Sequence, residues 1–128
     1  MLIVGLVLTG LAAALHVFIF YLESIAWTSS RARATFGTTL EEAEATKQLA
    51  FNQGFYNLFL AIAGVLGIVL FAAGNSAVGA TLIILGAGSM LAASLVLLLS
   101  SRAQAAAAVK QGTLPLLGLV FFVIGLLA

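Results

Sequence analysis

Two ionisable side chains, His16 and Glu23, stand in an otherwise apolar stretch near the start of the chain. They are seven residues apart, two turns of a helix, so they share a face and lie about 10 Å apart along its axis. Phe20 and Trp27 continue that face. A second polar group, Asn52-Gln53-Gly54-Phe55-Tyr56-Asn57, opens a later segment that runs apolar to Phe71. An ionised group at the centre of a membrane span costs about 2.5–3.5 kcal/mol on insertion scales, so it faces protein or water. Glu23 can then bind a proton or a cation, and His16 can donate or shuttle a proton. Asn52, Gln53, Tyr56 and Asn57 can orient a ligand by hydrogen bonds. Each residue also has a plainer reading. Glu23 can sit at the interface, bonded to water or to Arg31 or Arg33. His16 can be a neutral structural donor to an amide of the second segment. The amides can be interhelical glue worth roughly 0.6–2 kcal/mol each. The residue types alone leave both readings open.

Other chemistries lack the residues they need. There is no cysteine, which removes disulfides, thiolate metal sites, iron–sulfur clusters and dithiol redox chemistry together. One histidine and one carboxylate among the apolar spans do not make a zinc site. Bis-histidine haem would need two copies of the chain, each giving His16. No serine or cysteine nucleophile is paired with a base, so no catalytic residue, metal or cofactor is assigned and the reading leans away from an enzyme. The net charge of +1 and the lack of a basic run point away from nucleic acid.

The elements that must position these residues are membrane spans. Of 128 residues, 63% are hydrophobic and 7% charged, with a mean hydropathy of +1.25. A soluble domain carries about 25% charged residues. The expected fold is an all-α integral membrane four-helix bundle, one domain over 1–128, with spans at about 2–24, 51–71, 77–99 and 113–128. The first span has no basic residue before it and reads as retained rather than as a cleaved signal. Thr28 to Thr39 reads as a polar connection, and Trp27 suits the interface. Thr39-x-x-Glu42 has capping-box spacing, so helix 2 starts in water and runs into the membrane, with Gly54 able to loosen it locally. Gly74-Asn75 is a turn, with Ser76 as the next N-cap. The alanine-rich Ala105 to Val109 extends helix 3 past the membrane in the same way. Pro115 falls in the first turn of a short fourth span. Gly64, Gly67, Gly79, Gly86, Gly118 and Gly125 mark close helix contacts.

All five basic residues, Arg31, Arg33, Lys47, Arg102 and Lys110, fall in or beside the first and third connections. The positive-inside rule therefore puts those connections in the cytoplasm and both termini outside. Span two runs antiparallel to span one, which sets Glu23 level with Asn52 and Gln53, and His16 nearer Asn57. The expected site is a cytoplasm-facing polar pocket between helices 1 and 2.

His16-x-Phe18, Glu23 and Trp27, followed by Asn52-Gln53-Gly54-x-Tyr56-Asn57, resemble a family of small four-span bacterial membrane proteins classified only as a domain of unknown function. The resemblance covers nearly the full chain and implies a four-helix fold in a bacterial plasma membrane, with no activity attached. Three classes of function follow from the residues. The first is binding, or proton-coupled handling, of a small amphipathic or lipid-like ligand. The second is a structural or accessory subunit, as a homo-oligomer or with a partner, whose polar cluster only locks helices. The third is a membrane enzyme.

Overall fold

Four segments are long and apolar enough to cross a membrane, and in the computed structural model, which describes residues 1–128, they pack side by side as a bundle. α1 spans Leu2–Phe20 and passes without a break into a π-helical turn, Tyr21–Ile25. A short α2, Ser30–Phe36, precedes α3, Leu40–Ala72, and α4, Ser76–Ser100. A 3-10 turn, Arg102–Gln104, leads into α5, Ala105–Leu127. With no strand and four apolar helices of membrane length, this is an all-α, multi-pass membrane protein.

The capping box at the start of α3 forms as its spacing predicts. Thr39 Oγ1 accepts from the Glu42 backbone N–H at 3.1 Å, and the Thr39 N–H donates to Glu42 Oε2 at 2.8 Å. From there α3 runs 33 residues, about 50 Å at 1.5 Å per residue, against a hydrocarbon core of about 30 Å. Its polar first turns therefore project beyond the apolar part of the bundle.

Four local readings are corrected. The connection after Trp27 is not all loop, because α2 lies within it. Ser29 caps that helix by accepting from Ala32 N–H at 3.2 Å, and Gly37, at φ 68°, ends it in the left-handed conformation that suits glycine. The N-cap of α4 is Asn75, and Ser76 is the first helical residue. The Ala105–Val109 run does not extend the third span. The third span's helix stops at Ser100, Ser101 is extended (φ −142°, ψ 104°), and the alanines start α5. Pro115 accordingly lies well inside α5 rather than in its first turn. The helix runs on through Gly112 and Pro115, both buried against neighbours, although proline there withholds an N–H from the Gln111 carbonyl and crowds it with its ring.

In cross-section the helices form a ring in the order α1, α3, α4, α5, with α1 and α4 on the diagonal. Small residues set the spacing. A Cβ added at Gly79 would run into the Phe71 backbone, and one at Gly5 into that of Phe122. At Gly86 it would lie 3.1 Å from Gly64 N, and at Gly118 2.9 Å from Thr9 Oγ1. Ala12, Ala13, Ala61 and Met90 fill the centre, while Ile3, Val7, Ile62, Val69 and Leu85 face outward. In lipid, water exclusion does not drive helices together, so these contacts hold the bundle. Gly79→Ala is expected to lower the unfolding free energy in detergent by about 1–3 kcal/mol. Gly88→Ala, with nothing within 4 Å of its added carbon, should leave stability unchanged or raise it by up to about 1 kcal/mol, since alanine is the better helix former. Equal stability of the two variants would show that the contact at Gly79 does not hold α3 to α4.

Candidate functional site

The site is built where α1 changes its winding. Over Tyr21–Ile25 the backbone closes i→i+5 bonds, including Ala26 N–H to the Tyr21 carbonyl at 2.9 Å. The wider turn puts two consecutive side chains inside. Leu22, 1% exposed, packs with Ile19, Phe36 and Ala107, while Glu23, 9% exposed, turns to α3. The π turn ends the helix, since Ala26 after it leaves helical geometry (φ −116°, ψ 26°), and wider turns of this kind are ordinary at helix C-termini.

Gly54 makes room for that turn. A Cβ on it would collide with Ser24 Oγ and stand 3.1 Å from Glu23 Cβ. Rather than loosening α3, which runs through it unbroken, this glycine lets the two backbones meet. Ser24 Oγ donates to the Phe51 carbonyl at 2.7 Å, pinning the turn to α3. One helical step deeper, Asn57 Nδ2 donates to Glu23 Oε2 at 2.7 Å and to its own helix at the Gln53 carbonyl, 3.2 Å away. Asn57 is itself buried. The carboxylate is thus held by an amide donor, with no cation beside it in the cavity wall.

Glu23, Gln53 and Asn57 border a cavity of about 370 Å³. It is not confined between the first two spans. Ala93, Val96, Leu97 and Ser100 of α4, Gln111 of α5, Gln104 of the 3-10 turn and Phe36 of α2 complete it. The wall combines carboxylate, amide and hydroxyl groups with aliphatic and aromatic ones. A second cavity of about 300 Å³ adjoins it, sharing Glu23, Gln53 and Gln104 and adding Trp27, Thr38 and Thr46 among others. Trp27 is folded inward. Its indole Nε1 donates to Thr46 Oγ1 at 3.1 Å, and its ring lies 5.1 Å from that of Phe36. The buried Thr38 hydroxyl has no partner.

The remaining sequence candidates lie apart. His16 is fully buried, and its Nδ1 donates to the Ala12 carbonyl at 2.8 Å, within its own helix. Nε2 is left without a partner, and no amide of α3 reaches it. Asn52 and Tyr56 are exposed, Tyr56 at 62%, and neither borders either cavity. At 100° per residue both lie more than a quarter-turn from Asn57, whereas Ala50, Gly54, Ala61 and Gly64 share its face. No three metal-ligating side chains converge. Sequence reasoning missed Phe36, Ser100, Gln104 and Gln111. The signal for the last two was available, since glutamines are unusual beside an alanine-rich, apolar helix.

These features define a class: a four-span membrane protein with an amphipathic cavity at one end, built around a carboxylate on a π-helical turn. The chain belongs to the family described as "Protein of unknown function (DUF1304)", whose model matches residues 10–123 and so takes in every residue of both cavities. No curated protein and no solved structure shows significant similarity to it.

If Asn57 is what satisfies the buried carboxylate, Asn57→Ala should lower the unfolding free energy by about 1–3 kcal/mol. The loss should shrink in a Glu23→Gln background, and the cycle should give a coupling of about 0.5–3 kcal/mol. Asn52→Ala, on the outward face, should stay within about 0.5 kcal/mol of the parent. Additive effects of the Asn57 and Glu23 changes would contradict this arrangement.

Proposed function

We propose that this protein binds a small amphipathic ligand in the cavity at Glu23, with a cationic or hydrogen-bond-donating head against the carboxylate. The observation that carries the reading is a buried carboxylate with only one hydrogen-bond donor, Asn57, on the wall of a cavity of about 370 Å³. A polar cluster that served only to lock helices would close on itself. Here the Asn57–Glu23 bond is the lock, and space remains beside it. The volume falls in the range of small-molecule sites, roughly 300–1,000 Å³, and the wall has the usual mixture of apolar surface and a few polar groups. Gln53, Gln104 and Gln111 would orient the head, and Phe36, Val96 and Leu97 would cover the apolar part.

The same carboxylate can hold a proton or the cationic head, but not both at full strength. Ligand and proton therefore compete at Glu23, and this competition is what proton-coupled handling requires. We read the cavity as opening to the cytoplasm of a bacterial plasma membrane; the basic residues gathered at this end of the bundle support that orientation through the positive-inside rule.

Trp27, the single tryptophan, borders the adjoining cavity and serves as the reporter. Phenethylammonium added to detergent-solubilised protein should give a saturable change in its fluorescence, stronger as the pH rises. The neutral phenethyl alcohol should bind weakly. Glu23→Gln should weaken binding of the cation at least about tenfold, a loss of roughly 1.4 kcal/mol, and remove the pH dependence. Unchanged affinity and pH profile in that variant would overturn the reading. Because the chain has no cysteine, orientation is testable by single substitutions. An impermeant maleimide on intact cells should label Asn75→Cys and spare Thr35→Cys, and the reverse pattern would place the cavity outside.

A further inference from the structure

A second concavity lies on the opposite side of Phe36 and Gln111, in a groove between α1, α2 and α5. Its volume is about 210 Å³. Leu15, Phe18, Ile19 and Leu22 line it along α1, so it extends about 10 Å down the helix toward the apolar middle of the bundle. At its head stand Arg31 and Lys110, with Thr35 and Gln111 beside them, and no carboxylate contributes to the lining. The Arg31 guanidinium lies 5.1 Å from the centroid of the Phe18 ring, so its apolar face is supported while its N–H groups stay free to donate. Phe18 and Tyr21 are themselves exposed on this flank of the bundle, where lipid lies.

We propose that this groove is a binding site for an anionic phospholipid. Its phosphate would be held between Arg31 and Lys110, and an acyl chain would lie along Leu15, Phe18 and Leu22. Three observations select this occupant. Two cations on the lining, with no carboxylate beside them, offer complementary charge to an anion. Their position, where the apolar span meets the connections, is the depth of a headgroup. The apolar track below them needs a chain, which a soluble phosphate does not have. Basic pockets between spans are a known form of headgroup recognition, and each lysine or arginine near the surface contributes about a fivefold gain in binding to anionic lipid. The site is separate from the cavity at Glu23, whose carboxylate does not border the groove.

The test is native mass spectrometry of the full-length protein in detergent with added dioleoyl phosphatidylglycerol. One lipid per chain should be retained, and dioleoyl phosphatidylcholine should not. Arg31→Gln and Lys110→Gln should each reduce retention roughly fivefold. Lys47→Gln removes the same charge from the exposed face of α3 and should change retention less than twofold, as should Glu23→Gln. Arg31→Lys, which keeps the charge, should retain most of the lipid. If Arg31→Gln fails to fold, Lys110→Gln against Lys47→Gln decides the matter. Equal loss in Lys47→Gln would reduce the effect to general charge attraction and overturn the proposal. Equal retention of phosphatidylcholine would overturn it too. Displacement of the lipid by glycerol 3-phosphate would assign the cations to a soluble phosphate and equally overturn it.

Discussion

Helices surrounded by lipid gain little by hiding apolar surface from one another, so a bundle of this kind depends on how closely its backbones can approach. Here that constraint is met by glycine, and met unevenly. Gly64, Gly67, Gly79 and Gly86 join α3 to α4, and Gly5, Gly118 and Gly125 join α5 to α1, all toward the end that carries the Gly74 turn and both chain termini. At the basic end only Gly54 and Gly112 play that part, Gly112 against Ser94 and Gly54 against the π-helical turn. Pro115 and the change of winding in α1 also fall in this half. The cavities lie where the tight packing stops. Their position follows from the distribution of small residues, and their polarity from what the helices carry there.

Much of this could be read from residue types and spacing. The four spans follow from apolar runs of membrane length, the start of α3 from Thr39 and Glu42, and the close contacts from paired glycines, six of which stand at helix interfaces. That Glu23 meets the Asn-Gln-Gly-x-Tyr-Asn stretch could be read from antiparallel depth, but not its partner. Depth sets Glu23 level with Asn52 and Gln53 and His16 nearer Asn57, whereas Glu23 bonds Asn57 and His16 bonds no residue of α3. Other features could not be read so simply. Helical spacing places Asn52 and Tyr56 near Asn57 along the axis, but the face that turns inward is chosen by Ala50, Gly54, Ala61 and Gly64, which pack closely against other helices. A small-residue stripe is thus a better guide to the interior of a membrane helix than its polar residues are. The π-helical turn has no composition of its own, and it rests on tertiary contacts of Ser24 and Gly54 that no local window contains. The end of α4 is hidden from the sequence for a related reason. Alanine propensity is the same whether a run closes one helix or opens the next, and here the extended Ser101 decides between the two.

His16 shows how far burial alone can carry an argument. It was singled out because an imidazole in an apolar span is costly, yet its one hydrogen bond stays within α1 and Nε2 faces no partner. With Nδ1 donating to Ala12, the neutral ring keeps Nε2 as an acceptor. Thr9, seven residues earlier on the same face, is also buried with an unpartnered hydroxyl. The three buried polar residues of the first span therefore differ in kind. Glu23 has both a donor and open space, whereas His16 and Thr9 have neither an interhelical partner nor a place on a cavity wall. Chemistry with a ligand requires access as well as a reactive group, and only Glu23 combines them.

The division of labour around Phe36 and Gln111 follows from the same requirement. Both residues face the polar cavity on one side and the basic groove on the other. Phe36 is delivered by α2, the short helix that Ser29 and Gly37 delimit, and is wedged against Trp27 and the cluster of Ile19, Leu22, Ala32 and Ala107. Gln111 sits one turn before Pro115, which leaves its carbonyl without the usual helical donor. One ring and one amide thus stand between the cavity bordered by Glu23 and the groove bordered by Arg31 and Lys110. Any shift of α2 that moves Phe36 must change both compartments together. The connection between the first two spans thereby forms part of the wall of both cavities as well as linking the helices.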